Sequence, residues 1–142
     1  DGGIKNSGDI VKALAAGASA VVLGSLFAGC DEAPGKVVKM GGKIFKQYNA
    51  STSITEKNNH IKGNGESLSK NYIKQIEGVE SLVPYKGALN SIVESLVSNT
   101  RSGLSYSGAK NIKELWNKAS FIQVTNLGLK ENGAHDVIVK KP

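Results

Sequence analysis

The stretch DGGIKNSGDIVKALAAGASAVVLGS places two glycine-rich segments, residues 1–3 and 23–25, at the two ends of one helical pattern. Ser7 can cap a helix running to about Ala16, with Asp9 favourable near its positive end and Gly17 as the stop. Ile10, Val11, Leu14 and Ala15 share one face of it. The uninterrupted apolar run 18–23 then suits a strand covered on both faces, as in parallel sheets. The order is strand end, helix, buried strand, glycine loop, which is an α/β signature. In such an architecture both glycine segments open on the rim at the carboxyl ends of the strands. Glycines admit a ligand to backbone N–H groups, and a following helix start adds a favourable dipole for an anion. This makes a phosphate site, with Asp1 placed to accept hydrogen bonds from a sugar diol. The same glycines also serve for tight turns alone, and spacing does not separate the two readings.

Downstream, KVVKMGGKIFKQY reads as two short strands around Gly41-Gly42, the signal for a two-residue hairpin turn. Residues 49–75 hold few apolar positions and no periodicity, and are expected to form a mobile flap. GVESLVPYKG is extended up to Pro84. Leu89, Ile92, Val93, Leu96 and Val97 fall at helical spacing. A further helix, about 111–118, is expected to turn Ile112, Leu115 and Trp116 towards a core. Residues 121–125 look like a strand, and no internal repeat is present.

Composition narrows the function. The 142 residues are 39% hydrophobic and 21% charged, as in a soluble globular domain. No apolar stretch is long enough for a membrane span and the first residues lack a signal-peptide layout, so no membrane and a cytoplasmic location are the expectation. The net charge of +6 is almost all lysine, with Arg101 the only arginine. Nucleic-acid readers rely on arginine and exposed aromatics, so no nucleic-acid partner is expected. His60, His135 and Cys30 lack metal-ligand spacing, which argues against zinc. Cys30 sits beside Asp31 and Glu32, which raise a thiol pKa, and is read as incidental.

DGGIKNSGDIVKALAAGASAVVLGSLFAG, followed by YKG and SGLSYSGA, resembles the C-terminal part of the inosine monophosphate dehydrogenase and guanosine monophosphate reductase family. That family folds as a TIM (β/α)8 barrel of about 250 residues or more. The resemblance implies that residues 1–142 are the C-terminal part of one catalytic barrel domain. The chain would start at the end of the seventh barrel strand, with the hairpin and the flap inserted after the last strand. The N-terminal segment, with the catalytic cysteine and the nicotinamide pocket, would lie elsewhere. By the same resemblance Asp1 binds the ribose hydroxyls, Gly3, Gly24 and Ser25 hold the 5′-phosphate with Gly2 beside them, and Tyr48 adds a hydroxyl. Ser51 and Thr52 belong to the purine loop. Glu77, ahead of YKG, contacts the purine near N1 and is the catalytic candidate.

The resemblance implies an oxidoreductase acting at C2 of a purine nucleoside 5′-monophosphate, with NADPH or NAD, working as a homotetramer. Two features favour GMP reductase, which converts GMP to IMP. Residues 49–100 contain no arginine, whereas the dehydrogenases use an Arg-Tyr pair on the flap to activate water, and NYIKQ offers only Asn71-Tyr72. NASTS also departs from the dehydrogenase loop Arg-Gly-Met-Gly-Ser. Against this, LKENGAHDV is similar to the dehydrogenase tail, where Glu131 would match a potassium ligand while Asn132 and Gly133 replace the serine and histidine. IMP dehydrogenase is therefore the alternative, and a non-catalytic purine-nucleotide-binding or structural subunit the alternative of another class.

Overall fold

Two of the helices begin by the same local chemistry. In α1 (Ser7–Ala15) the extended residue Asn6 is the cap, its side chain accepting from the Asp9 backbone N–H at 3.0 Å. Asp9 reaches back to accept from the Lys5 N–H and pairs with Lys12 at 2.9 Å. Asn111 caps the helix Ile112–Lys118 in the same way, accepting from Glu114 N–H at 2.9 Å. Glu114 accepts from Lys110 N–H and pairs with Lys118 at 3.0 Å. Each device satisfies amides that a helix start leaves without partners. The cap of α1 is thus Asn6 rather than Ser7: the amide oxygen of Asn6 reaches the third turn residue, and Ser7 is already helical.

The computed structural model describes residues 1–49, 53, 80–131 and 137. After α1 come α2 (Ser25–Ala28), β1 (Val37–Met40), β2 (Lys43–Asn49), β3 (Glu80–Pro84), α3 (Leu89–Tyr106), α4 (Ile112–Lys118) and α5 (Asn126–Glu131). Helices α1 and α3 stop on glycines, Gly17 at φ 104° and Gly108 at φ 68°. Ala18 N–H returns to Ala13 and Gly17 N–H to Leu14, while Ala109 returns to Leu104 and Gly108 to Ser105. This paired closure needs a left-handed residue, which glycine adopts without steric cost.

The sheet is antiparallel in the order β1-β2-β3. Met40 faces Lys43 across Gly41-Gly42, so the expected hairpin is present, and Phe45 faces Pro84. The helical core is formed by Ile10, Leu14, Ala109 and Leu115, with Ile4, Val21, Leu96, Leu104 and Ile112 packed around it. Three expectations fail here. Residues 18–23 form no strand, and Val22 is 60% exposed. A strand exists only with a hydrogen-bonded neighbour, and no described strand runs beside this run. Residues 121–125 likewise form no strand, with Phe121 62% exposed. Trp116 is 42% exposed while Leu115 beside it is fully buried, because the narrow core contact of a seven-residue helix admits one of these neighbours. The segment 49–75 lies outside the described residues except for Asn49 and the buried Ser53.

Leu115→Ala is expected to lower the unfolding free energy by about 2–5 kcal/mol, against about 1 kcal/mol for Asn111→Ala, both read by denaturant titration. The hydrogen bond from Lys12, and then that from Lys5, hold the Asp9 carboxyl below its ordinary pKa. Lys118 and then Lys110 do the same for Glu114. A lowered folded-state pKa stabilises above the ordinary carboxylate range and is lost as pH falls through the folded value. Denaturation at stepped acidic pH should therefore show a shallower acid decline in Asp9→Asn/Glu114→Gln than in the unaltered protein.

Candidate functional site

The two glycine segments meet. Asp1, Gly2, Gly3, Ile4, Val22, Gly24, Ser25 and Tyr48 line one cavity of about 460 Å³. Gly2 and Gly3 carry φ 80° and 74°, conformations that keep side chains off the cavity wall. On the facing side Gly24 caps α2, and its carbonyl accepts from both Phe27 and Ala28 N–H at 3.0 Å. The first N–H groups of α2 have no partner within the helix itself. Tyr48 enters from β2: a β-carbon on Gly24 would lie 2.8 Å from its hydroxyl oxygen. Glycine at position 24 leaves room for the tip of the Tyr48 ring, which a larger residue would have to turn aside.

Chemically, the cavity offers one carboxylate, glycine backbone at two loops, a serine at a helix start and a phenolic hydroxyl. Backbone N–H groups and hydroxyls suit a phosphate, and the carboxylate suits vicinal hydroxyls. All six sequence-predicted residues that the structure describes on this site, Asp1, Gly2, Gly3, Gly24, Ser25 and Tyr48, are brought together. Ser51, Thr52 and Glu77 lie outside the described residues. Glu131 is exposed at the end of α5, and residues 132–136 that follow it lie outside the described residues. No group of three His, Cys, Asp or Glu among the described residues could hold a metal ion.

Behind the cavity, residues 29–33 form a tightly tied loop that sequence reasoning missed. Lys46, 3% exposed, donates to the carbonyls of Cys30, Asp31 (3.2 Å) and Ala33. Tyr85 donates to Asp31 Oδ1 at 2.6 Å, a bond that raises the Tyr85 pKa. Leu89 N–H donates to Glu32 at 2.9 Å, and Lys86 Nζ donates to the Leu26 carbonyl at 2.8 Å. A lysine in an alternating strand reads as solvent-facing, so only the loop's position reveals Lys46. Cys30 is buried here. Burial first, then Glu32, pushes its thiol pKa up, which disfavours the thiolate a nucleophile needs. A second hollow of about 320 Å³ lies against α1 and α3, and its wall is apolar apart from Thr100 and Arg101.

A family model described as IMP dehydrogenase / GMP reductase domain matches residues 1–135. Among similar proteins, the inosine-5′-monophosphate dehydrogenase of Aquifex aeolicus is 46% identical across 99% of this chain and 29% of its own length. That of Methanocaldococcus jannaschii is 42% identical across 98% of this chain and 30% of its own. A GMP reductase of Trypanosoma brucei, solved in complex with guanosine 5′-monophosphate, superposes with a TM-score of 0.84 at 41% identity. It covers 97% of this chain and 28% of that one. The chain thus spans less than a third of the length of these relatives.

The contact between position 24 and Tyr48 yields a stability test. Gly24→Ala forces the tip of the Tyr48 ring off its preferred rotamer and should cost about 0.5–1.5 kcal/mol. In a Tyr48→Phe background most of that cost should vanish, because the clashing oxygen is gone. Thermal denaturation of the four proteins in the cycle reads the coupling.

Proposed function

This chain belongs to the IMP dehydrogenase / GMP reductase family, and from that membership we propose that residues 1–142 are the C-terminal part of a (β/α)8 catalytic barrel acting at C2 of a purine nucleoside 5′-monophosphate. The observation that carries the reading is the single cavity shared by Asp1, both glycine loops and Tyr48. In it the Asp1 carboxylate accepts hydrogen bonds from the ribose diol. Gly3, Gly24 and Ser25 present backbone N–H groups to the phosphate oxygens, and the Tyr48 hydroxyl donates to the same group. Holding both ends of the ribose phosphate fixes where the purine C2 sits, and so converts a collision into an oriented reaction. A bound nicotinamide cofactor supplies or accepts the hydride at C2. Glu77, outside the described residues, is proposed to contact the purine near N1 and to move a proton there. The thiol that attacks C2 is assigned to a part of the barrel beyond this chain.

We read the reaction as GMP reduction: hydride enters C2, the 2-amino group takes up a proton and leaves as ammonia, and GMP, NADPH and one proton become IMP, NADP+ and ammonia. The absence of arginine from 49–100 supports this direction, as does similarity over 97% of the chain to a GMP reductase solved with GMP. The second reading is IMP oxidation with NAD, favoured by the 46% and 42% identities to IMP dehydrogenases. Both fit a homotetramer in the cytoplasm with no nucleic-acid partner. Glu131 is proposed as one ligand of a potassium ion, to which no chemical step is assigned.

The test uses the full-length protein and follows reduced-nicotinamide absorbance. NADPH consumption with GMP is the expected result, whereas NADH formation from IMP selects the dehydrogenase. Tight GMP binding without turnover in either direction assigns a non-catalytic nucleotide-binding subunit. Asp1→Ala should lower kcat/KM by about 10- to 150-fold, the loss of roughly 1.5–3 kcal/mol of charge-assisted hydrogen bonding.

A further inference from the structure

Among the described residues Lys46 is the one buried charged side chain, and the reaction proposed above does not use it. Its three N–H donors meet three backbone carbonyls, those of Cys30, Asp31 and Ala33, in the loop that directly follows α2. Burying an ammonium group is unfavourable, and an apolar side chain could fill the same space. The lysine therefore does something that packing alone does not require.

Its neighbours suggest what. Lys46 and Tyr48 are two residues apart on β2, hence on one face of the strand and about 6.8 Å apart along it. Helix α2 has four residues and rises about 6 Å. The strand thus touches both ends of the same helix: Tyr48 at the Gly24 end and Lys46 at the loop that closes the other end. Between these contacts the chain after the loop presses on β2, since a β-carbon on Gly35 would lie 2.1 Å from the Gln47 carbonyl oxygen. The other ties of this region come from Tyr85, Lys86 and Gly87, in the segment after β3, and from Leu89 at the start of α3. Only the Lys46 tie is made by the side chain of the strand that also carries Tyr48.

Resting on the phosphate-site reading above, we propose that Lys46 is a positioning residue. By fixing the 30–33 carbonyls on β2 it sets where the Gly24 turn meets the Tyr48 hydroxyl, and so sets the grip on a nucleotide's phosphate without touching it.

The experiment is calorimetric titration of the full-length protein with GMP and with guanosine, which lacks the phosphate. It is run on the unaltered protein, Lys46→Met, Lys46→Arg, Tyr48→Phe and Lys46→Met/Tyr48→Phe. Lys46→Met should weaken GMP binding about tenfold and leave guanosine within twofold. Adding Tyr48→Phe to it should cost little more, and Lys46→Arg should recover part of the loss. Equal weakening of GMP and guanosine, or losses from Lys46→Met and Tyr48→Phe that multiply, would overturn the proposal. If Lys46→Met does not fold, Lys46→Gln is put through the same cycle with the same two criteria. An unaltered protein that does not prefer GMP to guanosine sinks the phosphate-site reading itself. One that does, but is indifferent to Tyr48→Phe, leaves that reading standing and removes only the role of Lys46.

Discussion

The Tyr48 hydroxyl stands 2.8 Å from where a β-carbon on residue 24 would lie, so with glycine there the tip of the tyrosine ring comes up against the turn ahead of α2. The cavity is built around that contact. Gly24 and Ser25 form one wall, Tyr48 reaches in from the sheet, and the left-handed Gly2 and Gly3 complete the other side. The missing methyl group lets a hydroxyl donor stand beside the backbone of the turn, and a larger residue at 24 would have to turn that ring end away.

What the sequence disclosed tracks how local each determinant is. The hairpin at Gly41-Gly42 and the helices at 7–15, 89–106 and 112–118 rest on turn residues, caps and periodicity within a few positions; all four form, the first helix capped one residue earlier than expected and the second running on past Val97. The strands expected at 18–23 and 121–125 depended on neighbours that an apolar run does not name, and neither forms. Ser7 and Asn6 compete for one capping role at adjacent positions, and composition alone could not decide between them. The convergence of Asp1 with the two glycine segments was legible because glycine at loop mouths has few uses besides turns and ligand approach, whereas Tyr48 was placed with them only by the family resemblance. Lys46 was not legible, because its partners are carbonyls 13 to 16 residues earlier, and backbone acceptors leave no mark in a sequence.

The helices show how the scaffold behind the site is kept in register. An asparagine cap with an acid three residues on, and a glycine two residues past the end, let α1 define its own ends before it packs. With both termini satisfied, packing of Ile10 and Leu14 against Ala109 and Leu115 needs only to choose an orientation. The glycine segments on either side of α1 then emerge at set points. In this way capping chemistry at residues 6–9 and 16–18 is transmitted to the width of a cavity some distance away.

Cys30 lies in the 29–33 loop, 1% exposed and with its proton held by burial. A reagent such as an alkylating maleimide reaches that sulfur only when the loop lifts from the sheet. Its modification rate at fixed pH is accordingly a clock for that opening, and the chain carries within itself a covalent reporter of how often its interior comes apart.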